Sequence, residues 1–162
     1  MKDDRQLDDI DRRILEILAH NARLSNSAIA KQVNVAESTC YARVQSMIRA
    51  GVVKGFHTTI DMAALGRPMR ALALVKLRSG YRDTLLQEAK RLAGVDGVVR
   101  VWFLAGNHDL MVEFAVASSG DLRDFVLNEL NSSEAVADTE TSVVMEAIEG
   151  RKMTPLKPAG SR

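Results

Sequence analysis

An α+β fold in two domains is predicted by three features of this 162-residue chain. Two short helical patterns meet at a tight turn around Asn34, a β-rich run follows Gly51, and beyond residue 68 strand and helix patterns alternate as βαββαβ. The spacing divides the sequence into a helical unit over 1–60, a linker over 61–68 broken by Gly66 and Pro68, a second domain over 69–150 and a flexible tail over 151–162.

In the first unit Leu7, Ile10, Ile14, Leu15, Ile17 and Leu18 recur at helical spacing, with Asp8 or Asp9 as the cap and Asp11 favourable against the helix dipole. A second helix is expected over 27–33, burying Ile29, Ala30 and Val33 behind a Ser25 or Asn26 cap. Asn34 stops it, because its short side chain tolerates the left-handed backbone of a tight turn. The third pattern, 36–50, buries Cys40, Val44, Met47 and Ile48 and ends at Gly51. Residues 52–60 are rich in β-formers and are expected to form the wing of a winged helix-turn-helix.

In the second domain a strand over 69–77 is apolar on both faces, through Ala71, Ala73 and Val75 on one and Leu72 and Leu74 on the other. A helix over 82–92 is expected to bury Leu85, Leu86, Ala89 and Leu92, followed by a strand over 98–105. Gly106, Asn107 and His108 signal a hairpin, and 109–116 returns with Leu110, Val112, Phe114 and Val116 on one face. Ser118 or Ser119 then caps a helix burying Leu122, Phe125, Val126 and Leu130, and 136–148 is the last strand. This is the ferredoxin-like plan. Two helices cover only one face of four strands, so the apolar open face is expected to be covered by another copy, giving at least a dimer.

Charge separates the halves. Residues 12–60 hold seven bases against two acids, whereas 66–150 hold nine bases against thirteen acids. A basic helical unit ahead of an acidic domain points to double-stranded DNA as the partner of the first. Ser38, Thr39, Tyr41, Ala42, Arg43, Gln45 and Arg49 occupy outward positions of the third helix, small polar groups in front and arginines behind. A recognition helix needs that order, because front residues read base edges while cations hold phosphates. Lys31, Glu37 and Lys54 complete the candidate surface.

Other classes are excluded by what the sequence lacks. No apolar run approaches membrane-spanning length, and the polar start is unlike a signal peptide, so a cytoplasmic location with no membrane partner is expected. The single cysteine, Cys40, fits core packing, and neither a metal site nor a cofactor is expected. No nucleophile, base and orienter set and no glycine-rich phosphate loop argue for an enzyme. The 151–162 segment carries four bases and no acids.

Leu7-Asp8-x-x-Asp11-x-x-Ile14-Leu15, Ser25 to Val35, Arg43 with Gly51-Val52-Val53-Lys54-Gly55-Phe56, Leu65-Gly66, Ala105-Gly106-Asn107-His108-Asp109-Leu110 and Thr141-Ser142-Val143-Val144-Met145-Glu146 together resemble the Lrp/AsnC (leucine-responsive, feast/famine) transcription regulators. The resemblance spans about residues 7–150. It implies that the first domain binds DNA, and that the second (the regulation-of-amino-acid-metabolism domain) forms dimers, assembles them into octamers and binds an amino acid or related small molecule between subunits. Gly106, Asn107, His108 and Asp109 of one subunit and Ser142, Val143 and Val144 of another would form that effector site. Such a ligand presents a carboxylate for backbone amides and an ammonium for a carboxylate such as Asp109, and Gly106 would let the main chain come close. Asp109 and His108 fit ordinary turn roles equally well. Where relatives commonly carry glycine in the turn and serine at the recognition-helix cap, this chain has Asn34 and Ala36. A DNA-organising oligomer without an effector is the alternative.

Overall fold

The computed structural model describes residues 6–148, the side chain of Arg82 excepted. They form two compact units, one up to Thr59 and the other from Ile60 to Ile148. The tail expected over 151–162 lies outside the described residues.

Among the described residues, three helices build the first unit: α1 (Asp9–His20), α2 (Asn26–Val33) and α3 (Glu37–Arg49). Of the two candidate caps for α1 the chain uses Asp8, whose carboxylate accepts the Asp11 amide at 2.8 Å while its own amide donates back to Asp11 at 3.4 Å. Ser25 caps α2 through the Ala28 amide at 3.2 Å. Asn34 adopts φ 57 and ψ 52, the left-handed turn expected of it. Ala36 offers α3 no side-chain cap, so that helix start lacks a contribution of about 1 kcal/mol. Ile14, Ile29, Val33, Cys40, Val44 and Met47 form the core.

The strand expected over 52–60 is not formed. Residues 52–60 contain no strand. β-propensity does not suffice, because a strand exists only in a ladder, and the described residues of this unit offer no second strand to pair with. Val53 packs onto the helical core, whereas Val52, Phe56 and Ile60 stay exposed.

The second unit has the expected order: β1 (Met69–Leu77), α4 (Leu85–Ala93), β2 (Val98–Phe103), β3 (Leu110–Val116), α5 (Ser119–Phe125) and β4 (Val136–Val144). The strands form one antiparallel sheet in the order β2-β3-β1-β4. Ala71, Ala73, Val75, Leu110, Val112 and Phe114 are fully buried with Leu92 and Leu130, and Phe114 stacks on Phe125 at 4.0 Å between centroids. Ser118, rather than Ser119, caps α5. Its C-terminal end widens into a π-turn over Val126–Leu130 that still buries Leu130.

Several expected boundaries shift. A 3-10 turn over Ser79–Thr84 precedes α4, which therefore starts at Leu85 rather than at 82. Leu86 is 55% exposed, contrary to expectation, because Leu85, Ala89 and Leu92 define the inward stripe and the next residue along a helix does not share it. β2 ends at Phe103 instead of 105, and β4 at Val144 instead of 148.

Register assigns the other face of the sheet. Leu72 pairs with Glu113 and Ser142, Leu74 with Met111 and Glu140, Trp102 with Met111, and Arg70 with Val144. Apolar Leu72, Leu74, Met111, Trp102 and Val144 thus share the face away from the core strands' buried side chains, with an Arg70–Glu113 ion pair among them.

Candidate DNA-binding surface and effector site

α3 presents Glu37, Ser38, Thr39, Tyr41, Ala42 and Arg49 as exposed side chains, with Gln45 half-buried. The stripe Cys40, Val44 and Met47 anchors the opposite side of the helix in the core. Lys31 and Lys54 are exposed as well. The geometry is that of a helix fixed by one face and open on the other, which suits insertion into a major groove.

Arg43 departs from the outward arrangement expected of it. Its Nη1 donates to Asp8 Oδ2 at 2.6 Å and to Asp11 Oδ1 at 3.0 Å, tying α3 to the start of α1. Asp11 is 1% exposed, so one of these carboxylates belongs to the core. The hydrogen bonds that Arg43 donates to Asp8 and then to Asp11 raise its pKa. At Asp8 burial pushes the carboxyl up, but the Asp11 amide and Arg43 outweigh it and the net shift is downward.

In the second unit, Leu104 to Asp109 close the β2–β3 hairpin, with the Leu104 amide donating to the Asp109 carbonyl at 2.9 Å. The Asp109 carboxylate is engaged locally: Oδ2 accepts the Leu77 amide at 2.8 Å, and the Asp109 amide donates to the Val75 carbonyl at 2.9 Å. Gly106 has φ +149 and a Cβ there would meet nothing within 4 Å, so within one chain glycine is required by backbone conformation rather than by close approach. Gly106 and Asn107 are exposed, and His108 is half-buried.

Ser142, Val143 and Val144 pair with Leu72, Ala71 and Arg70, at the other end of β1 from Asp109. From Leu72 to Leu77 the strand spans about 16 Å. One chain therefore does not bring the loop and the β4 segment together.

Asp109 carries a stability prediction. Asp109→Ala strands the Leu77 amide in a part-buried position and is expected to cost about 1–3 kcal/mol. Urea unfolding measures this. An unchanged midpoint would show that the carboxylate does not hold the hairpin.

Two regions of the chain match known families. Residues 7–54 match a winged helix-turn-helix DNA-binding domain and residues 70–153 an Lrp/AsnC ligand binding domain. The HTH-type transcriptional regulator AldR of Mycobacterium tuberculosis is 39% identical over 145 residues, covering 90% of this chain and 81% of that protein. AldR of Mycolicibacterium smegmatis is 42% identical, covering 90% and 85%. Among solved structures, that of M. tuberculosis AldR aligns with a TM-score of 0.71 at 36% identity, covering 90% of this chain and 99% of that one. E. coli AsnC aligns at 0.81 with 25% identity, covering 93% and 100%. A winged-helix reader joined to a ligand-binding domain defines a DNA-binding transcriptional regulator rather than an enzyme. The chain belongs to the Lrp/AsnC family.

Sequence reasoning missed the roles of four residues: Asp11, Arg43, Gly97 and Arg67. The 8-x-x-11 capping spacing was legible, but not that Asp11 is buried against Arg43. Helical phase held the signal for Arg43, which lies three residues after Cys40 and four before Met47, on the edge of the buried stripe. Gly97 and Arg67 carried none. Gly97 has φ +91, and Arg67 reaches past it to Asp96 at 2.5 Å and to the Ala115 carbonyl at 3.3 Å.

Proposed function

We propose that this regulator senses an amino acid or a related small metabolite in the cytoplasm and reads double-stranded DNA with the exposed face of α3, as a homodimer that assembles into a larger even oligomer, an octamer. The observation carrying the effector reading is the split site. The Gly106–Asp109 loop and the Ser142–Val144 segment lie at opposite ends of β1, so both can line one ligand only if a second copy supplies the other half. The ligand-binding domain family to which 70–153 belong supports a small-molecule role for that domain. In this reading Asp109 keeps Oδ2 on Leu77 and offers Oδ1 to an ammonium, while amides of the loop meet a carboxylate. Ser38, Thr39 and Tyr41 face the bases, with Arg49, Lys31 and Lys54 toward phosphates.

Assembly is argued from the open sheet face. Leu72, Leu74, Trp102, Met111 and Val144 share it, and a second copy supplies a surface of the same character by two-fold symmetry.

A thermal-shift panel of the twenty common amino acids and central metabolites tests the sensing claim. A ligand at a hundred times its dissociation constant stabilises the folded state by about 2.7 kcal/mol, which moves the transition of the second unit by many degrees. If no compound moves it, the second unit has no effector in this class and the DNA-organising alternative stands.

A further inference from the structure

We propose that Arg43 is a positioning residue of α3: it sets the rotation at which Ser38 and Thr39 are presented to DNA by holding the N-terminal cap of α1, and it does not contact phosphate. The inference rests on the reading that α3 is the helix that meets DNA. Three observations carry it. Arg43 spends its Nη1 on Asp8 and Asp11, 35 and 32 residues away in sequence, so the contact is tertiary and joins two helices. Asp11 is 1% exposed while Arg43 is 24% exposed at the side chain, so the guanidinium is drawn inward toward a buried carboxylate. Ser38, Thr39, Ala42 and Arg43 also line one recess of about 550 Å³ together with Asp8 and Asp11, so the reading side chains and the clamp share a wall.

The division of labour follows from the physics of the two contacts. The apolar stripe Cys40, Val44 and Met47 fixes how deep α3 sits, but apolar packing is non-directional and tolerates small rotations about the helix axis. A charge-assisted hydrogen bond is directional. Arg43 lies one helical turn from Thr39, so its anchorage at the α1 cap opposes rotation where base edges would be read. Moving the guanidinium to a phosphate would break both contacts and deprive the buried Asp11 carboxylate of its arginine.

The test uses the full chain and two fluorescein-labelled duplexes: one selected from random-sequence DNA by the wild-type protein, and a scrambled version. Anisotropy titrations at several salt concentrations give the discrimination ratio and the salt slope for Arg43→Gln and for the double variant Asp8→Asn, Asp11→Asn. Urea unfolding confirms that each is folded. Positioning predicts that both variants lose discrimination by about tenfold, comparable to one mismatched base pair. The loss in the double variant is diagnostic, because deleting two acids beside DNA would otherwise leave the ratio alone and tighten binding generally. Arg43→Gln keeps the wild-type salt slope. A slope lower by about 0.9 in Arg43→Gln, with full discrimination in the double variant, makes Arg43 a phosphate contact and overturns the proposal. Arg49→Ala separates the two levels of failure. It should lower the slope by about 0.9, and if its affinity and slope are those of the wild type, α3 does not face DNA and the proposal falls with that reading.

Discussion

Gly97→Val is expected to remove about 4 kcal/mol from the second unit, most of the stability of a typical small domain. Two costs combine. Gly97 sits at φ +91, which a β-branched residue adopts only under strain. A Cβ built there would also lie 2.7 Å from the Ala115 carbonyl oxygen and 2.5 Å from the Arg67 guanidinium. The first neighbour is backbone in a central strand, bonded to Gly97 itself through the Ala115 amide at 2.8 Å, so it yields only by distorting the β2–β3 ladder. The Arg67 contact with Asp96 would be displaced as well, although that pair is largely exposed on its acidic side and contributes little. Gly80→Ala is the matched control, since nothing lies within 4 Å of its Cβ position, and it should change stability by no more than about 0.5 kcal/mol. Urea unfolding of both variants decides the matter. Equal midpoints would mean that the Gly97 turn is not constrained as described.

Leu74→Glu is expected to leave the protein monomeric. Leu74 lies near the middle of β1, paired to Met111 on one side and Glu140 on the other, on the sheet face that the core does not use. In the proposed two-fold interface every substitution occurs twice, and an uncompensated carboxylate buried there costs about 3 kcal/mol or more per copy. Together that is on the order of ten-thousandfold in dimer affinity. The fold itself should survive, because Ala73 and Val75, on the opposite face of the same strand, hold β1 to the helices. Sedimentation at micromolar concentration measures the change. A Leu74→Glu protein that sediments like the wild type would place the interface elsewhere.

Where short-range rules governed, the sequence was a sufficient guide. Period-2 runs at Leu110, Val112, Phe114 and Val116 and the period-3.6 stripe at Cys40, Val44 and Met47 report burial directly, and both were buried as expected. Asn34 was legible because few residue types tolerate its backbone conformation. The backbone conformation of the wing segment was not, since residues 52–60 have the composition of a strand but find no pairing partner among the described residues of their unit. At Leu86 the error was one of phase. Leu86 follows Leu85 of the inward stripe by one residue, about 100° around the helix, and so lies on the outer face.

The candidate sites were legible as positions and not as contacts. Outward residues of α3 could be enumerated from the helical wheel, yet the Arg43 clamp depends on a carboxylate 32 residues earlier that only folding brings within 3.0 Å. The same holds for Asp109. Its place in a hairpin was readable, whereas its hydrogen bond to Leu77 depends on the pairing of β1 with β3.

Reciprocal linkage tests most directly whether one molecule couples a ligand in the second domain to DNA held by the first. With a compound identified by the thermal-shift panel, calorimetry would measure its affinity for the protein alone and for the protein saturated with the selected duplex. Anisotropy would measure duplex affinity with and without the compound. Coupling through an intersubunit site predicts that the two affinities change by the same factor, about 5-fold or more, since linkage is reciprocal. Ligand binding that leaves duplex affinity unchanged, with the ligand's own affinity indifferent to DNA, would contradict the account.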